Sequence, residues 1–165
     1  MPKKITNTLE FELYNSFEKL SQQDQELMLG ARNACNTAYA PYSNFRVGAA
    51  LLLANGQMVF GSNQENAAYP SGLCAERVAF FSCSVQQPDE RILKVAVTAT
   101  RAGSGIFLMA SPCGGCRQVM LEYEHKQQQP IEIILQWGEQ QYIKAGSIAG
   151  LLPFSFNMDS LISST

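Results

Sequence analysis

The sequence predicts an α/β domain whose helices cover a central mixed sheet. Three observations carry that expectation. Strand-like apolar runs alternate with stretches bearing helical stripes, the pattern of helices laid on a sheet. Asn55-Gly56 separates two apolar runs and signals a tight hairpin, so at least one strand pair is antiparallel. At 165 residues, 46% apolar and 16% charged, the chain can bury one core and is too apolar for disorder.

The elements follow in order. Leu9, Leu13, Phe17 and Leu20 fall near one helical face, so a short helix is expected over 8–20, although Leu9, Phe11 and Leu13 also alternate. Residues 1–20 are read as a helical N-terminal extension on the surface or at a subunit contact, and 21–165 as a single domain. Ser21 with Asp24 three residues on is an N-cap signal. Behind it Leu27, Met28, Ala31, Ala34, Cys35 and Ala38 form an apolar stripe, and that helix must stop before Pro41. Arg46 to Ala54 and Gln57 to Phe60 form the hairpin. Residues 74–84 read as a helix, Ile92 to Thr100 as a buried strand, and Ile106 to Ala110 as a short one. A helix over 113–125, a strand over Ile131 to Gln136 and an edge strand over Gln140 to Lys144 complete the alternation. Ser147 to Leu152 is a helical turn ended by Pro153.

Charge and hydropathy exclude several classes. The net charge is −2, and Lys3-Lys4 is the only adjacent Lys/Arg pair, which argues against a grip on a nucleic-acid backbone. The longest apolar stretch, Val47 to Ala54, is far short of the roughly 20 residues of a membrane helix. The opening MPKKITNTLE has basic residues without an apolar run behind them, so no secretory leader is expected and a cytoplasmic location is.

The cysteines are Cys35, Cys74, Cys83, Cys113 and Cys116, an odd number that favours metal binding or catalysis over a disulfide framework. The sole histidine, His125, sits among charged residues at a helix end and reads as exposed. Any zinc site must therefore be mostly thiolate. Cys74 and the Cys113–Cys116 pair each lie at the start of an expected helix, where the dipole favours the metal-binding thiolate. Gly114 and Gly115 let the backbone between the paired thiols turn both toward one ion. A lone C-x-x-C also fits a redox pair, and Cys35 and Cys83 read as core. Three thiolates at one zinc leave the open position of a catalytic site.

Glu76 resolves the choice. Cys74-Ala75-Glu76 followed by Pro112-Cys113-Gly114-Gly115-Cys116 fits the zinc deaminase signature, in which the Glu moves protons and does not ligate. Arg77, one turn from Cys74, can reach a ligand sulfur and offset the excess negative charge of three thiolates, with Arg117 assisting.

The chain resembles the cytidine deaminases, in their short-chain, homotetrameric, three-cysteine branch. The likeness runs from about Tyr39 to Phe156. It rests on Ala40-Pro41-Tyr42-Ser43-Asn44-Phe45, Val47-Gly48-Ala49-Ala50, Gly61-Ser62-Asn63-Gln64-Glu65-Asn66-Ala67-Ala68-Tyr69, Cys74-Ala75-Glu76-Arg77, Pro112-Cys113-Gly114-Gly115-Cys116-Arg117-Gln118, and Leu151-Leu152-Pro153 with Phe156. It implies a three-layer α/β/α sandwich around a mixed, roughly five-stranded sheet. It also implies one zinc per chain held by Cys74, Cys113 and Cys116, with Glu76 as proton shuttle. By the same resemblance Asn63 and Glu65 hold ribose hydroxyls, Phe45 and Phe156 contact the ring, and the Ala75 N–H meets the pyrimidine O2. Ala67, Ala68 and Tyr69 complete the substrate-binding set, with Tyr69 lining the pocket across a subunit interface.

The implied reaction is hydrolytic deamination of cytidine and 2′-deoxycytidine in pyrimidine salvage. The partners are then a nucleoside and further copies of the chain, with no nucleic-acid polymer and no membrane. Two other readings share the zinc. One is an aminohydrolase for a cytosine-bearing antibiotic such as blasticidin S. The other is a structural zinc module, which needs a fourth protein ligand that the sequence does not offer.

Overall fold

A computed structural model describes residues 2–162. In chain order its elements are β1 (Glu12–Tyr14), α1 (Gln22–Ala34), β2 (Phe45–Leu53), β3 (Met58–Ser62), α2 (Ala75–Gln86), β4 (Ile92–Arg101), β5 (Phe107–Leu108), α3 (Gly114–Gln127), β6 (Glu132–Gln136), β7 (Tyr142–Ala145) and α4 (Met158–Ile162). The strands lie in the order β1-β7-β6-β4-β2-β3, and β5 pairs with the end of β4. Among the strands of the described residues, β4 and β6 pair in parallel and the other pairs are antiparallel, including the hairpin at Asn55-Gly56. The sheet is mixed, as expected.

Alternation along the central strands builds three layers. Ala49, Leu51 and Leu53 of β2, Val95 and Val97 of β4, and Ile133 and Leu135 of β6 enter one core with Ala79 and Phe80 of α2 and Met120 and Leu121 of α3. Ala50, Leu52, Ala96 and Ile134 point the other way and meet Leu27, Met28 and Ala31 of α1. A strand buried on both faces reads as an unbroken apolar run, which is why Val47 to Ala54 is so uniform. Ser21 caps α1 as its sequence predicts, its Oγ accepting the Asp24 N–H at 3.2 Å.

The N-terminal expectation is corrected. Residues 8–20 do not form a helix. Residues 12–14 are strand β1, and Phe17–Lys19 form one 3-10 turn. The alternation of Leu9, Phe11 and Leu13 prevails because β7 offers an edge, and Glu12, Leu13 and Tyr14 pair with Lys144, Ile143 and Tyr142. The expected edge strand β7 is thereby covered. Among the described residues the sheet holds seven strands: the six that the sequence predicts, with the one expected over Ile106 to Ala110 reduced to the two-residue β5, plus β1.

Two close approaches set where the helices sit. A Cβ at Gly48 would lie 2.0 Å from Ala31 O of α1, and one at Gly61 would lie 2.4 Å from both Ala75 O and Ala79 N of α2. Gly61 therefore lets the N-terminus of α2 settle directly on β3. At the far end of α3, buried Glu124 accepts from Ile131 N and Ile148 N at 2.8 Å, Ala149 N at 3.0 Å and Ser147 Oγ at 2.7 Å. No described helix is long and apolar enough to cross a membrane.

Candidate metal centre and active site

The N-termini of α2 and α3 meet at one place. Cys74 caps α2, Cys113 caps α3, and Cys116 lies in the first turn of α3. Their sulfurs all lie within 4.8 Å of one another, with Cys74 Sγ to Cys113 Sγ at 4.0 Å and Cys113 Sγ to Cys116 Sγ at 3.4 Å. Tetrahedral zinc with Zn–S bonds of about 2.3 Å places its sulfurs roughly 3.8 Å apart, so the donor set fits zinc in type and spacing. No fourth His, Cys, Asp or Glu joins the group among the described residues. A structural zinc module, which needs a closed shell of four ligands, is not favoured by this three-donor group. Cys35 and Cys83 are buried in the core away from the cluster, and His125 is exposed, all as expected.

The cluster is built to carry negative charge. Hydrogen bonding from the Cys116 thiol, opposed by burial and aided by Arg77 and Cys113, pulls the Cys74 thiol down to about 5. Cys116 moves the opposite way, because its bond to Cys74 and its burial both favour the thiol. Cys113 Sγ also accepts the Cys116 N–H at 3.4 Å. Arg77 Nη2 lies 4.0 Å from Cys74 Sγ and donates to Gly72 O at 3.3 Å, while its buried Nε has no hydrogen-bond partner. The expected assistance from Arg117 is corrected. Its Nε donates to Pro112 O at 2.9 Å and its Nη1 to Leu151 O at 3.3 Å, so it braces the ligand loop through backbone oxygens.

Glu76 stands in the first turn of α2, only 4% exposed. Burial pushes its carboxyl above the usual carboxylate range, and the charge on Cys74 adds to this. The Ala75 N–H belongs to the same first turn, where a helix supplies no acceptor of its own.

A second cluster lies where 39–47 meets 63–65. The backbones pair first: Tyr39 N donates to Asn63 O at 3.0 Å and Glu65 N to Tyr39 O at 2.8 Å. The Asn63 side chain then spans the start of β2, accepting Val47 N at 2.7 Å and donating to Phe45 O at 2.9 Å. Glu65 Oε2 accepts Tyr42 N at 2.9 Å and Ser43 N at 3.3 Å, and its Oε1 accepts the Ser43 hydroxyl. The Ser43 hydroxyl, followed by the Tyr42 N–H, holds the Glu65 carboxyl below its ordinary pKa. Phe45 is half-buried. Ala67 and Ala68 are exposed, and Tyr69, which opens a 3-10 turn, is 91% exposed. Phe156 is exposed too, its backbone gripped by Gln118, whose Nε2 donates to Phe156 O at 2.7 Å.

Sequence reasoning passes over Ser43 and Gln118 as working residues. Each sits inside a quoted motif, but its partner is a side chain or backbone atom 22 or 38 residues away. No local periodicity points to such a bond.

The chain is matched by the family model for the cytidine and deoxycytidylate deaminase zinc-binding region over residues 21–129. A cytidine deaminase of Sporosarcina psychrophila is 37% identical over 83% of this chain and 93% of its own. One from Mycobacterium tuberculosis H37Rv is 36% identical over 79% of this chain and 87% of its own. The crystal structure of cytidine deaminase from Burkholderia pseudomallei superposes with a TM-score of 0.67 at 35% identity, covering 83% of this chain and all of that one. Zinc is the cofactor of this family, and the three-sulfur cluster is where this chain can hold one ion. With that match spanning most of the domain and its metal-binding elements in place, the chain belongs to the cytidine and deoxycytidylate deaminase family.

Proposed function

We propose that the protein hydrolyses cytidine to uridine and ammonia. One observation carries the reading: the buried Glu76 carboxyl stands two residues from Cys74, in a cluster of three thiols with no fourth protein donor among the described residues. Zinc, when bound, supplies the acidity that makes water a nucleophile near neutral pH. Cys74, Cys113 and Cys116 would hold it.

Glu76 takes a proton from the attacking water and gives it to ring N3, which makes C4 electrophilic. It then takes the second proton, from the hydroxyl now on C4, and gives it to the amine, which leaves as ammonia as the C4 carbonyl forms. Burial, which raises the Glu76 pKa, makes its carboxyl hold a proton more readily than an exposed one, as a group that donates as well as accepts requires. Arg77 offsets the negative charge of the thiolates. The Ala75 N–H orients the base by its O2, with Phe45 and Phe156 against the ring. Asn63 keeps one amide hydrogen beyond its bond to Phe45 O, and Glu65 keeps an acceptor position beyond its three donors. Together they offer one donor and one acceptor to sugar hydroxyls, and both cytidine and 2′-deoxycytidine fit.

The finer reading is a homotetramer with shared sites, acting in cytoplasmic pyrimidine salvage. Tyr69, Ala67, Ala68 and Phe156 then meet substrate at subunit boundaries, which accords with the exposure of Tyr69 and Phe156 in one chain. Five free thiols suit a reducing compartment. The antibiotic-directed alternative is not favoured, since the relatives above carry the name cytidine deaminase.

The test is ultraviolet absorbance of cytidine with purified protein, before and after chelation and after zinc is restored. Conversion to uridine that chelation abolishes and zinc restores is expected. A zinc-loaded protein inert toward cytidine overturns the reading.

A further inference from the structure

We infer that Ser43 is a positioning residue: its one hydroxyl sets both the carboxylate that meets the sugar and the start of the segment that meets the base. The inference rests on the proposed roles of Glu65 and Phe45. Ser43 Oγ donates to Glu65 Oε1 and accepts the Phe45 N–H at 3.0 Å. A hydroxyl has one hydrogen and two lone pairs, so it can do both at once. No carboxylate or methyl group in its place could.

The surroundings show what the bond controls. Glu65 lies in the loop that follows β3, and its N–H donates to Tyr39 O at 2.8 Å. Its carboxylate could still turn about three side-chain bonds. Oε2 is held by two backbone donors, Tyr42 N and Ser43 N, while Oε1 has Ser43 Oγ as its one donor among the described residues. The hydroxyl therefore fixes the plane of the carboxylate and so the direction of its remaining acceptor position. The turn that places it is itself demanding, since Asn44, between Ser43 and Phe45, has φ of 57° in the left-handed region. Serine satisfies both ends of that turn from an exposed position. Nothing is gained there by burial, so its side chain is explained by the two bonds.

Two substrates separate this role from mere stability. Cytidine carries the sugar hydroxyls, and 2′,3′-dideoxycytidine lacks both. The quantity read is the ratio of kcat/KM for cytidine to kcat/KM for the dideoxynucleoside, measured on zinc-loaded protein of verified metal content. Ser43→Ala is expected to lower that ratio about tenfold, the scale of a hydrogen bond to a charged group. Ser43→Thr, which keeps the hydroxyl, is expected to restore most of it. Glu65→Gln serves as reference and is expected to lower the ratio at least as far. If Glu65→Gln collapses the ratio while Ser43→Ala leaves it unchanged, Glu65 keeps its role and the inference about Ser43 is overturned. If Glu65→Gln leaves the ratio unchanged, the sugar-binding role of Glu65 falls, and Ser43's role falls with it. If Ser43→Ala lowers the ratio and Ser43→Thr does not recover it, the hydroxyl is not the cause and the inference is again overturned.

Discussion

Arg77 points its guanidinium at Cys74, Nη2 to Sγ 4.0 Å, and makes no ion pair with a carboxylate among the described residues. Its second contact is the Gly72 carbonyl. The surface salt bridge that such a residue usually makes is therefore absent, and its positive charge is committed to the thiol cluster. That charge also lowers the pKa of Glu76 against the upward push of burial and Cys74. Arg77→Gln removes it. The Glu76 carboxyl then titrates higher, and the acidic limb of the turnover–pH profile moves to higher pH. Zinc content, measured by metal analysis, is expected to stay near one per chain while turnover at neutral pH falls. An unmoved limb at full zinc content assigns the charge balance elsewhere.

Glu76→Gln tests the proton shuttle. The amide has nearly the same volume, so α2 and the cluster keep their packing, but it cannot take up and release a proton. Turnover is expected to fall at least about 10²-fold, the usual scale for losing an acid–base group. Metal analysis and the thermal midpoint of the variant should match the parent. A variant with normal turnover would falsify the assignment.

What could be read in advance divides along a physical line. Central strands and helices announce themselves through local periodicity, so the layers around β2, β4 and β6 were legible. Cys113 with Cys116, and Cys74 with Glu76, stand at short spacings that a sequence displays, but only the fold brings Cys74 Sγ to 4.0 Å from Cys113 Sγ across 39 residues. Strand β1 was not, because three residues carry little pattern and their partners lie about 130 residues away on β7. Glu124 carries no local signal that sets it apart from the other charges around His125, yet it is buried and accepts four hydrogen bonds from segments that only the fold brings together. Arg117 is next to Cys116 in sequence, but its side chain donates to the backbone oxygens of Pro112 and Leu151.

Asp24 gives the protein an acid-sensitive hold between α1 and the sheet. It is 2% exposed and lies 2.6 Å from Lys94 Nζ and 3.3 Å from Lys144 Nζ, while Glu132 Oε2 closes the ring at 2.8 Å from Lys144. Burial pushes its pKa up, but Lys94, the Ser21 cap and Lys144 outweigh it and hold the pKa below the ordinary value. A carboxyl lowered on folding adds stability that is present above its unfolded pKa and is lost as pH falls through the folded one. Asp24→Asn is expected to cost about 3 kcal/mol at neutral pH, as for breaking a buried pair. It should also flatten the fall in stability below about pH 4. Urea unfolding across that range measures both.

Gln118 ties the C-terminal segment to the metal-bearing helix. Its amide copies a strand neighbour, donating to Phe156 O at 2.7 Å and accepting Phe156 N at 3.4 Å. Gln118→Ala loses both bonds and frees the segment that carries Phe156. KM for cytidine is expected to rise about three- to tenfold, the net worth of one or two such bonds. Zinc content should not change, and limited proteolysis should cut residues 152–157 faster. Unaltered KM with an unprotected segment separates Phe156 from the substrate.

Gly61 decides whether the N-terminus of α2, and with it Cys74 and Glu76, can reach its place. Any Cβ there would stand 2.4 Å from Ala75 O and Ala79 N and 2.9 Å from Ala79 Cα. All three atoms are helix backbone, so no side chain can swing aside, and the helix must lift off β3. Overpacking of this kind costs about 1–3 kcal/mol where the structure can shift at all. The shift falls on the turn that carries Cys74, while Cys113 and Cys116 stay on α3. Gly61→Ala is therefore expected to open the three-sulfur cluster on one side. The variant should lower the urea midpoint and also release zinc to a competing chelator faster than the parent. Gly146→Ala is the control, because no atom lies within 4 Å of its ideal Cβ. It changes the same number of atoms outside the site and should leave zinc release as it was. Equal zinc release from Gly61→Ala and the parent, with stability lowered, would place the strain elsewhere than the α2 N-terminus and remove Gly61 from the account of the metal site.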